Sequence, residues 1–175
     1  AFQKNTRAEN SGQMVPPPII KNFLESARQG QKEVKIPTLG ISIQSLENPA
    51  LKKKFKVPLT QSGLLINTVD FGSSCEAFLQ PGDIIHRMGE YDISNMGTIL
   101  YKNQYRTRIY ALLSELSVGD VLPMTRRRNG EVSQIEVPLK AGIHLANRDE
   151  GIENRFFIHA GFVFQPLTRK YLQTW

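Results

Sequence analysis

The stretch that decides the fold reads Gly63-Leu-Leu-Ile-Asn-Thr-Val69 and then Cys75-Glu-Ala-Phe-Leu-Gln-Pro-Gly-Asp-Ile-Ile-His-Arg-Met-Gly-Glu90. Its first part is rich in apolar and β-branched residues and predicts a strand. Ser74 to Leu79 has the spacing of a short amphipathic helix, and the Pro-Gly pair that follows predicts a turn. Asp83 to Met88 then predicts a second strand, so the stretch encodes two strands joined by a compact connection.

A later segment adds a hairpin and a helix. Asn129-Gly130 is a strong hairpin signal, and it lies between the strand-like runs Gly119 to Arg127 and Glu131 to Leu139. Before this hairpin, apolar residues recur at the i, i+3, i+4 and i+7 spacing, which predicts an amphipathic helix from about Arg106 to Leu116. The apolar stripe of this helix consists of Ile109, Leu112, Leu113 and Leu116.

Three further segments complete the pattern. Leu39 to Ser45 alternates apolar and polar residues and predicts a strand, Asn48 to Phe55 predicts a short helix or turn, and Tyr91 to Ile93 predicts a short strand. The sequence therefore predicts an α+β fold that is mostly β, a small antiparallel barrel or sandwich with two helices.

The composition narrows the classes of function. The chain has 175 residues and a net charge of +6, and its basic residues include two short runs, Lys52-Lys53-Lys54 and Arg126-Arg127-Arg128. We interpret the first run as the solvated side of a helical turn and the second as a strand end. Neither run has interleaved aromatic residues, so we do not expect a nucleic-acid partner. We expect no membrane span, because no run of about 18 apolar residues occurs.

The order of these segments resembles the PDZ domain of the HtrA/Deg serine proteases. The resemblance rests on Leu-Gln-Pro-Gly-Asp-Ile-Ile within the Cys75–Glu90 stretch, on the longer helix, and on Val118-Gly-Asp-Val and Arg128-Asn-Gly-Glu. It is closest to the branch of Deg proteases found in plants, which carries two PDZ domains. The segments most similar to that branch are Pro37-Thr-Leu-Gly-Ile, Leu46-Glu-Asn-Pro-Ala-Leu, Lys56-Val-Pro and Gly161-Phe-Val-Phe-Gln-Pro-Leu.

The same resemblance implies three regions. Ala8-Glu-Asn-Ser-Gly-Gln-Met-Val-Pro is similar to the last strand of a protease domain, and the predicted helix that begins near Pro18 is similar to the helix leaving that domain. Gly161-Phe-Val-Phe-Gln-Pro-Leu repeats Gly40-Ile-Ser-Ile-Gln-Ser-Leu and would open a second PDZ domain. We therefore expect residues 1–34 to be a protease-domain tail, residues 35–140 a PDZ domain, and residues 141–175 a linker and the start of a second PDZ domain.

The family's catalysis uses a His, an Asp and a Ser in a Gly-Asn-Ser-Gly-Gly context, and this chain has no such serine. His86, His144 and His159 are isolated from one another, and we interpret each as structural. Cys75, the single cysteine, is interpreted as a small core residue. We expect no catalytic residue, no metal site and no cofactor, because His, Cys, Asp and Glu lack the spacing of metal ligands.

A PDZ domain of this family binds an extended peptide by strand addition and holds a terminal carboxylate in a glycine-containing loop. In this chain the resemblance places the loop at Thr38-Leu39-Gly40-Ile41 and the binding edge at Ile41 to Ser45. The predicted helix would form the other wall of the groove. The candidate peptide-binding residues are Thr38, Leu39, Gly40, Ile41, Ser42, Ile43, Tyr105, Ile109, Leu112 and Leu113.

The resemblance implies the peptide-binding region of an ATP-independent serine endopeptidase that acts in protein quality control and is a homo-oligomer. Its expected partners are unfolded or C-terminal peptide segments and its own protease domain. A plastid, mitochondrial or bacterial periplasmic location fits the parent. The alternatives are a PDZ scaffold without enzyme activity and a PDZ module of a membrane-embedded protease.

Overall fold

The computed structural model describes residues 2–4, 12–30, 35–143 and 155–174. The chain divides into two units, Ala1–Gly142 and Ile143–Trp175. His144, residues 8–11 and residues 31–34, which figured in the predictions above, lie outside the described residues.

The first unit is built on an antiparallel sheet of six strands. Its strands are β4 (Ile41–Ser45), β5 (Leu64–Val69), β6 (Ile84–Met88), β7 (Tyr91–Asp92), β10 (Val121–Arg128) and β11 (Glu131–Pro138). They pair in the order β11-β10-β6-β5-β4, and β7 pairs with β6. All six strands are those that the sequence predicts, with bounds that differ by one or two residues.

Shorter elements surround this sheet. Strands β1 (Phe2–Lys4) and β2 (Gly12–Met14) pair with each other, as do β3 (Pro37–Thr38) and β12 (Lys140–Ala141), and β8 (Thr98–Tyr101) and β9 (Tyr105–Arg108). The helices of this unit are α1 (Pro17–Arg28), α2 (Pro49–Lys54) and a 3₁₀ helix (Ile109–Glu115). The α+β, mostly β fold predicted from the sequence is confirmed.

Two predicted helices are corrected. Ser74 to Leu79 is a set of turns, in which the Leu79 N–H donates to the Cys75 carbonyl at 2.8 Å. The helix predicted from Arg106 to Leu116 is the 3₁₀ helix alone, because β9 takes up its first residues. Lys102 and Asn103 both have positive φ, which is the turn geometry that suits a tight hairpin and lets β8 and β9 pair.

The main core lies between the sheet and the 3₁₀ helix. It contains most of the buried apolar residues of the strands together with Leu39, Cys75, Ile109, Leu112 and Leu113. A smaller cluster of Leu46, Val57, Leu65 and Ile84 lies against α2. Cys75 is fully buried, as the sequence predicts, and burial raises the pKa of its thiol to about 12. A thiol with that pKa is not a nucleophile near neutral pH.

Residues of the two basic runs make more hydrogen bonds within the protein than we expected from the sequence. Lys52 is only 4% exposed, and its Nζ donates to the carbonyls of Leu59 (3.0 Å) and Gln61 (2.7 Å). The prediction of a solvated face therefore holds for Lys53 and Lys54 but is wrong for Lys52. The long lysine side chain satisfies carbonyls in the loop after α2, which no apolar residue at that position would do.

The arginine run divides between the two faces of β10. Arg128 donates from Nε and Nη2 to the two carboxylate oxygens of Asp83, at 2.8 and 2.7 Å, and Asp83 is only 1% exposed. Arg126 donates to the Phe78 carbonyl from the same side. Arg127 faces the other way, towards His86. Asp83 and Arg128, the residue before the hairpin turn, thus form an ion pair whose carboxylate is buried and whose guanidinium is partly exposed.

The second unit contains a hairpin and a helix. Strands β13 (Phe157–His159) and β14 (Phe162–Phe164) pair through a turn at Ala160 and Gly161, and α3 (Arg169–Thr174) follows. Phe157 and Phe164 stack with ring centroids 4.7 Å apart, yet both side chains are exposed. Two exposed strands of this kind are only marginally stable without further packing.

Candidate functional site

Strand β4 is the open edge of the main sheet. β5 pairs with one side of it, and no described strand pairs with the other. The Asp70 N–H donates to the Gly40 carbonyl at 2.8 Å, so the Gly40 carbonyl faces β5. Because backbone groups alternate in direction along a strand, the N–H and carbonyl of Ile41 face the open edge. An extended segment can therefore add to this edge through main-chain hydrogen bonds.

The loop before β4 is fixed from inside by residues 73–75. The Cys75 N–H donates to the Leu39 carbonyl at 3.3 Å, and the Ser74 Oγ donates to the Thr38 carbonyl at 2.5 Å. Ser74 Oγ also accepts from the Lys140 N–H at 2.8 Å. These contacts hold the loop in one conformation before any ligand arrives, which lowers the entropic cost of binding.

Gly40 is required by the protein's own packing. Its φ is +64°, and a Cβ at this position would lie 2.1 Å from the Cβ of Ser73. Both facts exclude larger residues, because a positive φ disfavours side chains and the space is already occupied. The family resemblance implies that Gly40 belongs to a loop that holds a peptide's carboxylate. The structure gives an additional reason that involves no ligand.

The predicted groove residues on the 3₁₀ helix are mostly core. Ile109, Leu112 and Leu113 are buried and pack in the same cluster as Leu39 and Ile41. Tyr105 lies on β9 rather than on a helix and is 58% exposed. On β4, Ser42 points outwards and its hydroxyl lies 2.7 Å from that of Thr68, whereas Ile43 packs partly against the core.

The residue that meets β4 from the 3₁₀ helix is Tyr110. Its hydroxyl donates to the Ile41 carbonyl at 3.4 Å, and the residue is 39% exposed. Sequence reasoning missed Tyr110 because it lies outside the apolar stripe that defined the predicted helix. The sequence does show a tyrosine directly after Ile109. A tyrosine can bury part of its ring while its hydroxyl makes a hydrogen bond, and this property could have identified Tyr110.

His86, which we interpreted as structural, belongs to a buried polar network on the other side of the sheet and is 7% exposed. Its Nδ1 lies 2.6 Å from the Ser62 carbonyl, and its Nε2 accepts from the Arg127 Nε at 3.2 Å. These partners define a neutral imidazole with the proton on Nδ1. Burial, followed by the charges of Arg127 and Lys52, lowers the pKa of His86 below 6.5, although its hydrogen bond to Ser62 acts in the opposite direction.

The lowered pKa of His86 predicts how the stability of the fold depends on pH. Because the pKa of His86 is lower in the folded state, the unfolded chain binds the proton more readily, so stability should be full above the unfolded pKa and fall as pH decreases below about 6.5. The loss should approach at most about 1.4 kcal/mol per pH unit. Urea unfolding of wild type and His86→Gln across that range measures it, with His159→Gln as the control on an exposed strand. Identical pH profiles for wild type and His86→Gln would contradict the assignment.

The other titratable side chains among the described residues form no arrangement typical of a catalytic or metal site. His159 is exposed on β13, and Asp120 accepts from the Ser117 N–H as a turn residue. The described ranges contain no group of three or more His, Cys, Asp or Glu residues that could hold a metal ion. The open edge of β4 and its glycine loop are therefore the site that remains.

Comparisons with known proteins agree with this geometry. No protein-family model matches the chain. Protease Do-like 2, chloroplastic, of Arabidopsis thaliana is 31% identical over 99% of this chain and 29% of its own length. Protease Do-like 4, mitochondrial, of the same plant is 29% identical over 99% of this chain and 34% of its length. The chain is an HtrA/Deg-type PDZ region.

A solved structure supports the fold of this HtrA/Deg-type PDZ region. A variant of the HtrA-type protease AlgW, solved with a decapeptide, superposes with a TM-score of 0.52 at 16% identity. The match covers 79% of this chain and 40% of that one. The HtrA/Deg-type PDZ region spans about a third of the length of the curated relatives it matches. None of its described helices is long and apolar enough to cross a membrane.

Proposed function

We propose that this HtrA/Deg-type PDZ region captures extended peptide segments by strand addition to β4, on behalf of a serine endopeptidase active in protein quality control. The observation that carries the proposal is the open edge of β4 directly after the rigid Gly40 loop. The relatives named proteases favour this function over a scaffold without enzyme activity. The decapeptide solved with AlgW fits the same class of ligand.

The loop supports recognition of a peptide's C-terminal carboxylate. Gly40 adopts the left-handed conformation, and alternation of such a residue with ordinary ones turns successive N–H groups towards one point. That point lies at the start of β4, where an added strand would end. Thr38, Leu39, Gly40 and Ile41 would then hold the carboxylate, and Ile41 and Ile43 would pair with the peptide backbone.

The apolar pocket for the peptide's last side chain would lie between β4 and the 3₁₀ helix. Ile43 and Tyr110 are its partly accessible walls, and the buried Ile109, Leu112 and Leu113 support it from beneath. Of the residues predicted for this wall, Tyr105 lies on the neighbouring hairpin of β8 and β9. These apolar walls would suit an aliphatic or aromatic side chain.

The other parts of the chain fit the regions expected for such a parent protein. Residues 1–34 would be a protease-domain tail. The apolar residues Ile19, Ile20, Phe23 and Leu24 of α1 are all exposed, and they would pack against that protease domain. Residues 141–175 would be a linker and the start of a second PDZ domain. This region repeats an order of elements seen in the first unit. Gly161, with φ of +83°, is followed by strand β14 and helix α3, as Gly40 is followed by β4 and α2. The exposed apolar residues of the β13–β14 hairpin need such packing.

Calorimetry with a pair of peptides tests the proposed function. A peptide with an apolar C-terminal residue and a free carboxylate should bind with micromolar affinity, about −7 to −8 kcal/mol. The same peptide with an amidated end should bind about tenfold more weakly or worse, because it loses charge-assisted hydrogen bonds to the loop. Lys53→Ala, on the exposed side of α2, is the matched control and should bind like wild type. Equal affinity for both peptides would rule out carboxylate recognition by this loop.

A further inference from the structure

The hydroxyl of Tyr110 occupies an acceptor that a bound peptide would need. Ile41 contributes the first carbonyl on the open edge of β4, directly after the glycine loop. With a carboxylate in that loop, the nearest peptide N–H would meet the Ile41 carbonyl. In the present structure the Tyr110 hydroxyl donates to this same oxygen.

The contact between the Tyr110 hydroxyl and the Ile41 carbonyl is weak. Its length of 3.4 Å is at the long end for a hydrogen bond from a hydroxyl, so it can be exchanged for a better one. Burial is the main cause that raises the pKa of Tyr110, and the neutral phenol is therefore the form present at the edge. A main-chain N–H would replace it with a shorter and better aligned donor.

Space for the displaced ring is present beside it. Tyr110 lines a cavity of about 640 Å³ between α1 and the 3₁₀ helix, together with Ile19, Phe23 and Leu113. The Asn22 Nδ2 donates to the Ser114 carbonyl at 3.1 Å and holds the two helices together at this cavity. A phenol ring that leaves β4 can therefore rotate into an existing volume without opening the core.

We infer that Tyr110 is a built-in competitor of the peptide, whose hydroxyl competes with the peptide backbone N–H for the Ile41 carbonyl at the edge of β4. This inference rests on the proposed function, because it requires that peptides bind at this edge. Tyr110 would then set the threshold of affinity for capture. Segments that fill the pocket and supply a main-chain N–H displace the hydroxyl, and poorly matched segments do not.

The test is calorimetry of the free-carboxylate peptide with wild type, Tyr110→Phe and Tyr91→Phe. Tyr110→Phe keeps the ring and its packing and removes only the competing donor. It should bind the peptide about three- to tenfold more tightly, which is the range of one weak hydrogen bond. Tyr91→Phe removes a hydroxyl on β7, outside the proposed groove, and should bind like wild type. Peptide saturation should also shift the ¹³Cζ resonance of Tyr110 in wild type.

The outcomes separate this inference from the proposed function. Unchanged or weaker binding by Tyr110→Phe, while wild type still prefers the free carboxylate to the amide, would overturn the competitor and leave peptide capture intact. Weaker binding would show that the hydroxyl contacts the peptide instead. If neither wild type nor Tyr110→Phe binds the peptide, the proposed function fails and this inference fails with it.

Discussion

Replacing Gly40 with alanine should abolish detectable peptide binding and lower the free energy of unfolding by about 2–4 kcal/mol. Part of this loss is the cost of a side chain at a positive φ, about 1–2 kcal/mol. The rest is overpacking, because the new Cβ would lie 2.1 Å from the Cβ of Ser73 and something must shift. Since the loop carries the proposed carboxylate site, its displacement also removes the binding geometry. Urea unfolding and calorimetry measure the two effects on the same protein.

A double-mutant cycle identifies the cause. Ser73→Gly removes the Cβ and Oγ atoms that would lie 2.1 and 2.8 Å from the new Cβ, and Ser73 Oγ has no hydrogen-bond partner in the described part of the chain. Gly40→Ala combined with Ser73→Gly should therefore regain most of the overpacking loss. Ser73→Ala keeps the clashing Cβ and should give no rescue. Equal stability of the two double variants would show that Ser73 is not the obstacle.

Replacing Arg128 with alanine should lower the free energy of unfolding by about 3 kcal/mol or more. The substitution leaves the buried Asp83 carboxylate with the Gln80 N–H, at 3.0 Å, as its remaining hydrogen-bond donor among the described residues. An uncompensated buried charge is expensive, and breaking such pairs typically costs about 3–5 kcal/mol. Arg128 is itself partly exposed, which places the expectation at the lower end of this range.

The matched control is Arg87→Ala. Arg87 lies 3.8 Å from Asp92, and both side chains are mostly exposed, so its loss should cost less than about 1 kcal/mol. Arg128→Lys should recover part of the stability, because a lysine keeps the charge but cannot donate in the two-pronged geometry. A cost for Arg128→Ala no larger than that for Arg87→Ala would contradict the role of Arg128 as the partner of the buried Asp83 carboxylate.

The main sheet could be predicted from the sequence because its signals are local. Asn129 and Gly130 both adopt positive φ, as their hairpin signal requires, and the alternation of Ile41 and Ile43 with polar residues gives β4 its face. The conformations of the short connection at Ser74 to Leu79 and of the 3₁₀ helix were harder to predict. Their apolar spacing over one or two turns fits several conformations, and the pairing of β8 with β9 decides between them.

The site could be predicted only in part, because side-chain roles depend on contacts distant in sequence. Gly40 was found, but its neighbour Ser73 lies on another loop. Lys52 reads as one of three surface lysines until the carbonyls of the following loop are placed around it. Tyr110 was missed because its partner, the Ile41 carbonyl, is 69 residues away. The chemistry of each residue was visible in the sequence, but its partner was not.

The most direct test of peptide capture at β4 is an NMR titration of the ¹⁵N-labelled chain with the free-carboxylate peptide. We expect the largest amide shifts at Leu39, Gly40, Ile41 and Ile43, and protection of the Ile43 amide from hydrogen exchange once the peptide is bound. The outer strand β11 and helix α2 should change little. The largest shifts at β11, or along α1 with β4 unaffected, would show that the peptide binds elsewhere and would contradict strand addition at this edge.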